Sequence, residues 1–152
     1  MSLITKSAMK LLLTTEVVEM DKILRDPNLL ATCRRLSYGG SSGMNMALDY
    51  YQGLILSRSV DAKGIFGIYQ KQFVGWALFT REDDRFYFRA EPGKACFQVF
   101  VDPQYRRNGV GSKLLQIAKE LVAPNETIAA YMHSAPSFFG APANQGTVQP
   151  VT

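Results

Sequence analysis

Apolar positions along the chain change period several times, and each change marks an element. Met9–Thr15 (MKLLLTT) is apolar with a β-branched end and predicts a short strand. Val17, Met20 and Leu24 recur at i, i+3 and i+7, the spacing of a helix face, with Thr15 as its N-cap. Asp26-Pro27 stops or bends that helix, because the residue before proline is pushed out of the helical region. Leu29–Leu36 predicts a second helix. It runs into Tyr38-Gly39-Gly40-Ser41-Ser42-Gly43, a loop of small residues. Met46–Ser57 predicts a third helix with Ala47, Tyr50, Tyr51 and Leu54 on one face.

The pattern then turns to period two. Ile65–Tyr69 and Phe73–Thr80 flank Gln70-Lys71-Gln72 and read as a hairpin. Phe86–Phe88 extends the meander past a charged turn, and Glu91-Pro92-Gly93 is a further turn. Ala95–Val101 (ACFQVFV) is apolar enough to sit centrally in a sheet. A helix from about Ser112 to Val122 follows, with Leu114, Ile117, Ala118 and Leu121 on one face. Thr127–Met132 is the fourth strand of this half. The remainder is rich in Pro, Gly and Ala. The expected organisation is a single domain over residues 1–140 and a weakly ordered tail over 141–152.

The whole chain is 152 residues, of which 47% are hydrophobic and 20% charged, an ordinary globular mix that excludes a disordered tail protein. No apolar run approaches the roughly 20 residues of a membrane helix, and Glu16 and Glu19 interrupt any N-terminal signal core. Neither export nor a membrane span is expected. Net charge is +4, which suits either a soluble surface rich in Lys and Arg or an anionic ligand. A nucleic-acid role ranks last, because no basic stripe is interleaved with aromatics. Cys33 and Cys96 make no disulfide framework, and one histidine, His133, with two cysteines makes no ordinary zinc site. A reducing cytoplasm is the default compartment.

The segment that carries chemistry is strand, short turn, Arg106-x-x-Gly109-x-Gly111, helix. A helix start presents N–H groups without intrahelical partners and a partial positive charge. Glycines let that backbone approach a ligand, and Arg106, Arg107 and Lys113 add charge, which together suit a pyrophosphate. The spacings of a Walker loop and of a dinucleotide-binding fingerprint are both absent.

In its context this segment resembles the acetyl-CoA motif, Q/R-x-x-G-x-G/A, of the GNAT family of N-acetyltransferases. The match runs over Arg106-Arg107-Asn108-Gly109-Val110-Gly111, with Phe100-Val101 and Leu114-Leu115 as similar flanks. Gly75-Trp76-Ala77-Leu78 resembles the family's "VGxAxL" strand. The resemblance covers roughly Ile65 to Val122. It implies an α/β fold of the GNAT acyltransferase type: a mostly antiparallel mixed sheet flanked by helices, here with shortened closing strands. It also implies acetyl-CoA as co-substrate, bound through the backbone of Arg106, Arg107, Asn108, Gly109, Val110, Gly111 and Ser112. The pantetheine arm would pair with Val99, Phe100 and Val101, and an N–H of Phe100 or Val101 would polarise the acetyl carbonyl.

The implied reaction is acyl transfer to a primary amine of a small molecule or a protein, and the amine must first lose a proton. Many members place a Glu on the motif strand or the strand before it, whereas Ala95–Val101 has none and Gln98 is no base. The candidates are His133, Glu82, Asp83, Asp84 and Glu91. His133 has a suitable ordinary pKa, and a packing role is its alternative. The family's tyrosine acid falls at Phe138 or Phe139, so Ser137, Ser134, Tyr131 or water would have to donate the proton. The competing expectation is a catalytically weakened GNAT-fold protein that grips CoA and acts on a protein partner. Small curtailed members of this kind also occur among phage-encoded proteins.

Overall fold

The computed structural model describes Met9 and residues 11–37, 42–82, 94–131 and 148–151. Within these, the strands form one six-stranded sheet in chain order. They are β1 (Thr14–Glu19), β2 (Ala62–Tyr69), β3 (Gln72–Thr80), β4 (Lys94–Val101), β5 (Thr127–Tyr131) and β6 (Val148–Val151). β1 to β4 are antiparallel neighbours, whereas β4–β5 and β5–β6 are parallel. The helices are α1 (Met20–Arg25), α2 (Pro27–Leu36), α3 (Ser42–Leu54) and α4 (Val110–Leu121). The mixed sheet with helices on both faces is the α/β acyltransferase architecture expected from the sequence.

Strand alternation builds two cores. Phe66, Trp76, Leu78 and Phe100 face the layer of α1, α2 and α3. Ile65, Ala77, Phe97 and Ala95 face α4, which buries Val110, Leu114, Leu115 and Ala118 against them. Each fully buried leucine contributes about 1.5–3 kcal/mol. Trp76 lies between Phe66 and Phe100, with ring centroids 6.1 Å and 6.2 Å away.

The N-terminal elements sit later in the chain than their pattern suggests. Met9, Leu11 and Leu12 are helical, and the strand begins at Thr14. The β-branched run Thr14-Thr15-x-Val17-Val18 pairs with β2, from Thr14 opposite Ile68 to Glu19 opposite Lys63. Val17 is exposed and Val18 buried, so Val17 does not share a helix face with Met20 and Leu24. Asp26 closes α1 and opens α2. Its Oδ1 accepts the N–H groups of Asn28 at 3.0 Å and Leu29 at 3.2 Å, and Pro27 takes the first helical position.

α3 starts at Ser42 rather than Met46, and its buried face is Met44, Ala47, Leu48 and Tyr51. Tyr50 and Leu54, expected on that face, are half-buried. The β2–β3 turn has φ of +51° at Gln70 and +63° at Lys71, a left-handed pair whose twist matches the strands. Val148–Val151, expected within a tail, is an edge strand beside β5, a position that tolerates Pro150. The readings of Phe86–Phe88, Glu91-Pro92-Gly93 and the loop at residues 38–41 fall outside the described residues. Among the described residues, no helix is long and apolar enough to cross a membrane.

Candidate functional site

β4 ends at Val101, and the chain turns through Asp102 into a single 3-10 turn, Pro103–Tyr105. Asp102 organises the turn: its N–H donates to the Val74 carbonyl at 2.9 Å, and its Oδ1 accepts the Gln104 N–H at 3.0 Å. The Tyr105 ring lies 6.1 Å from that of Tyr69 and anchors the turn to β2. Arg107 then takes φ +66° and Gly109 takes φ +84°, and α4 begins at Val110. Asn108 braces the bend by donating Nδ2–H to the Arg106 carbonyl at 3.1 Å.

The start of α4 differs from the start of α2 in one respect that matters. α2 is capped by the Asp26 carboxylate, which takes up two of its N–H groups. α4 has Gly109 at the N-cap, with no side-chain cap and no acidic residue in its first turn. Among the described residues, a Cβ built on Gly109 would meet nothing within 4 Å, so they leave the space before the helix open. Arg106 and Arg107 are exposed beside it. A basic helix start whose N-cap residue supplies no side-chain acceptor is chemically matched to a diphosphate.

The strand leading into this turn has the second useful feature. Its register with β3 continues to Gly75 opposite Val101. Its register with β5 ends at Gln98 opposite Tyr131, so among the described residues β4 runs three residues past that pairing. Val99, Phe100 and Val101 therefore form a strand end that leads directly to the loop. The structure thus brings together ten of the expected binding residues, Val99 to Val101 and Arg106 to Ser112, in one continuous stretch of strand end, turn and helix start.

Of the expected proton-transfer residues, Glu82 lies among the described residues, and it stands apart from this stretch. Glu82 follows β3 at the opposite end of the sheet, about 20 Å from Val101 at roughly 3.3 Å per residue. Its carboxylate receives Arg58 in a two-pronged ion pair at 2.9 Å and 2.7 Å, and the Asp61 N–H at 2.6 Å. Arg58 holds the Glu82 carboxyl below the ordinary range, in spite of its burial. That arrangement pins the α3–β2 connection to the end of β3 and replaces the expected role as a base. Gln98 is fully buried, on the Phe100 side of β4. His133, Ser134, Ser137, Phe138, Phe139, Asp83, Asp84 and Glu91 lie outside the described residues. Cys33 and Cys96 are buried and form no disulfide, and burial pushes the Cys33 thiol up to about 12, so it is inert.

Sequence reasoning missed the residues that hold the turn from beneath. Val74 accepts from Asp102, and Arg35 of α2 lies 3.7 Å from Asp102 Oδ2 while donating to the Phe73 carbonyl at 3.3 Å. Glycines inside strand patterns, here Gly67 and Gly75, are the available signal, since they mark bulges and close approaches.

Comparison with known proteins agrees with the fold. A family model described as the acetyltransferase (GNAT) family matches residues 34–138. A comparison with curated proteins returns no match. Among solved structures, an aminoglycoside acetyltransferase from an uncultured soil metagenomic sample, in complex with sisomicin, superposes with a TM-score of 0.57 at 15% identity. That alignment covers 95% of this chain and 94% of the other. Aminoglycoside N-acetyltransferase AAC(6')-Iy in complex with CoA gives 0.50 at 14% identity, over 84% and 83%. An integron cassette protein from the mobile metagenome of V. cholerae gives 0.50 at 18% identity, over 84% and 80%. At these identities the likeness is one of fold. The family match spans most of the chain and includes the whole β4–turn–α4 unit, and the protein belongs to the GNAT acetyltransferase family.

Proposed function

We infer that this protein transfers an acetyl group from acetyl-CoA to a primary amine of a small molecule or a protein. One observation carries the reading: α4 opens on a left-handed glycine with no side-chain cap, one short turn after a strand end that, among the described residues, runs past its pairing with the parallel neighbour. The backbone from Arg106 to Ser112 would hold the pyrophosphate. Val99, Phe100 and Val101 would align the pantetheine arm. An N–H of Phe100 or Val101 would donate to the acetyl oxygen as charge develops there, a contribution of a few kcal/mol in a dry site.

The amine nitrogen attacks the thioester carbonyl carbon, the carbon–sulfur bond breaks, and the nitrogen gives up a proton. The departing thiolate takes one. His133 is the residue of this chain assigned to the first proton and Ser137 to the second; Glu82 is left out, because Arg58 already occupies its carboxylate.

A second reading has an observation of its own. β4 reads KACFQVFV and carries no carboxylate, and its buried polar residue is the neutral Gln98. This supports a protein that binds CoA without efficient turnover and acts through a protein partner. Calorimetric titration with acetyl-CoA, followed by CoA release with and without amine mixtures, separates the two. Micromolar binding with amine-stimulated release that His133→Ala abolishes is the expected result. Tight binding without turnover supports the second reading, and no binding overturns both.

A further inference from the structure

Two glycines meet where α4 comes down on the sheet. Gly67 of β2 and Gly75 of β3 are register partners. A Cβ on either would meet the same methyl group. At Gly75 it would lie 2.9 Å from Val110 Cγ1 and 3.1 Å from the Phe100 carbonyl oxygen. At Gly67 it would lie 3.3 Å from Val110 Cγ1, 3.6 Å from Leu13 Cδ1 and 3.7 Å from Leu114 Cδ2. Among the described glycines, positive φ is confined to Gly109, so backbone conformation does not require glycine at these two positions. Space does. Val110 is the first residue of α4, one step beyond the left-handed Gly109.

The same point on β3 carries a bulge. Gly67 pairs with Gly75 but Ile68 pairs with Phe73, which leaves Val74 as the extra residue. Val74 and Gly75 consequently both face α4. The Val74 carbonyl accepts the Asp102 N–H at 2.9 Å, one step past the Gly75–Val101 pair of β3 and β4. The Phe73 carbonyl accepts from Arg35, which also faces Asp102. Both ends of the turn, Asp102 before it and Val110 after it, therefore rest on residues 73–75.

We propose that Gly67, Gly75 and the Val74 bulge are positioning residues that set the height of the 102–112 turn above the sheet. They tune its affinity for a pyrophosphate without touching one. This rests on the reading of that turn as the CoA site. A Cβ at Gly75 lifts Val110 and carries the helix start with it, displacing N–H groups that must converge on the same oxygens.

The test is calorimetry with CoA, with pantetheine measured by NMR titration as the probe that lacks the pyrophosphate, and thermal unfolding as the check on folding. Gly75→Ala is expected to weaken CoA by about tenfold and pantetheine by less than about twofold, since small misplacements of converging groups are costly. Gly67→Ala meets side chains only, so it folds even if Gly75→Ala does not, and it is expected to weaken CoA by about threefold. The decisive measurement repeats Gly67→Ala in a Val110→Ala background, where the methyl group it would strike is gone. Its effect on CoA should shrink to within about 1.5-fold, the mark of two coupled positions. If Gly67→Ala costs the same with and without the Val110 methyls, or if CoA and pantetheine weaken together, the inference is overturned while CoA binding by the wild type stands. A wild-type protein that binds no CoA overturns the reading of the turn, and this inference with it.

Discussion

The indole N–H of Trp76 donates to Ser37 Oγ at 2.9 Å, and Ser37 in turn donates to the Cys33 carbonyl at 2.7 Å. Both residues are fully buried, so the chain's single tryptophan is tied to the C-terminus of α2 through one hydroxyl. Ser37→Ala removes that acceptor and leaves a buried donor without its partner. The expected loss is about 1–3 kcal/mol, read from urea unfolding monitored by Trp76 emission. A loss below a few tenths of a kcal/mol would mean that the hydrogen bond contributes nothing net. Trp76 also stacks on Phe100 of the candidate pantetheine strand. Saturating CoA is therefore expected to change its emission.

Gly109 makes a separate prediction, because its φ of +84° is one that side chains disfavour while its surroundings are open. Gly109→Ala introduces backbone strain of about 1–2 kcal/mol without a clash. Its Cβ also projects where a phosphate would approach the helix start. The expected outcome is a modest fall in Tm and a loss of CoA affinity of at least about tenfold. Unchanged affinity in calorimetry would mean that the ligand does not approach this backbone.

What could be read from the sequence was what depends on near neighbours. The turn after β4 was legible because its arginines, glycines and flanking apolar runs are contiguous. The hairpin was legible because two apolar, aromatic-rich runs flank the short polar stretch Gln70-Lys71-Gln72. β1 lies later than its pattern predicts because Val17, Met20 and Leu24 imitate a helix face, and only pairing with β2 decides that Val17 is a strand residue exposed to solvent. Glu82 stood out as a carboxylate near a strand end, but its partner Arg58 is 24 positions earlier, and no local pattern announces that pair. The role of Gly75 was hidden for the same reason, since it depends on where Val110 lands.

The charges beside the turn should act on phosphate and not on the pantetheine arm. Arg106 and Arg107 are exposed at the open start of α4, and the first turn of that helix carries no acid to offset them. Arg106→Glu is expected to weaken CoA by about tenfold near physiological salt and to leave pantetheine within about twofold. The CoA difference should narrow as salt is raised, because exposed charges are screened. Equal losses for the two ligands would show that Arg106 does not see phosphate.

The far end of the sheet makes the last prediction, on acid stability. Arg81 Nε donates to Glu126 Oε2 at 2.6 Å and Arg81 Nη2 to Oε1 at 2.7 Å, while Nη2 also reaches the Leu121 carbonyl at the end of α4. The guanidinium beside Glu126 holds its carboxyl below the ordinary range against the opposing effect of burial. A carboxyl depressed in the folded state stabilises fully above its unfolded pKa, about 4.3, and that contribution is lost as pH falls through the lower folded value. Glu82, held down by Arg58, adds to the same window. Glu126→Gln should therefore cost about 1 kcal/mol near neutral pH, the scale of a partly exposed ion pair. The gap from wild type should begin to narrow below about pH 4.3 and close only below the lower folded value, where both proteins are neutral at this position. Urea midpoints measured from neutral pH down to about pH 3 decide it, and a gap that persists undiminished in acid would assign the loss to packing rather than to charge.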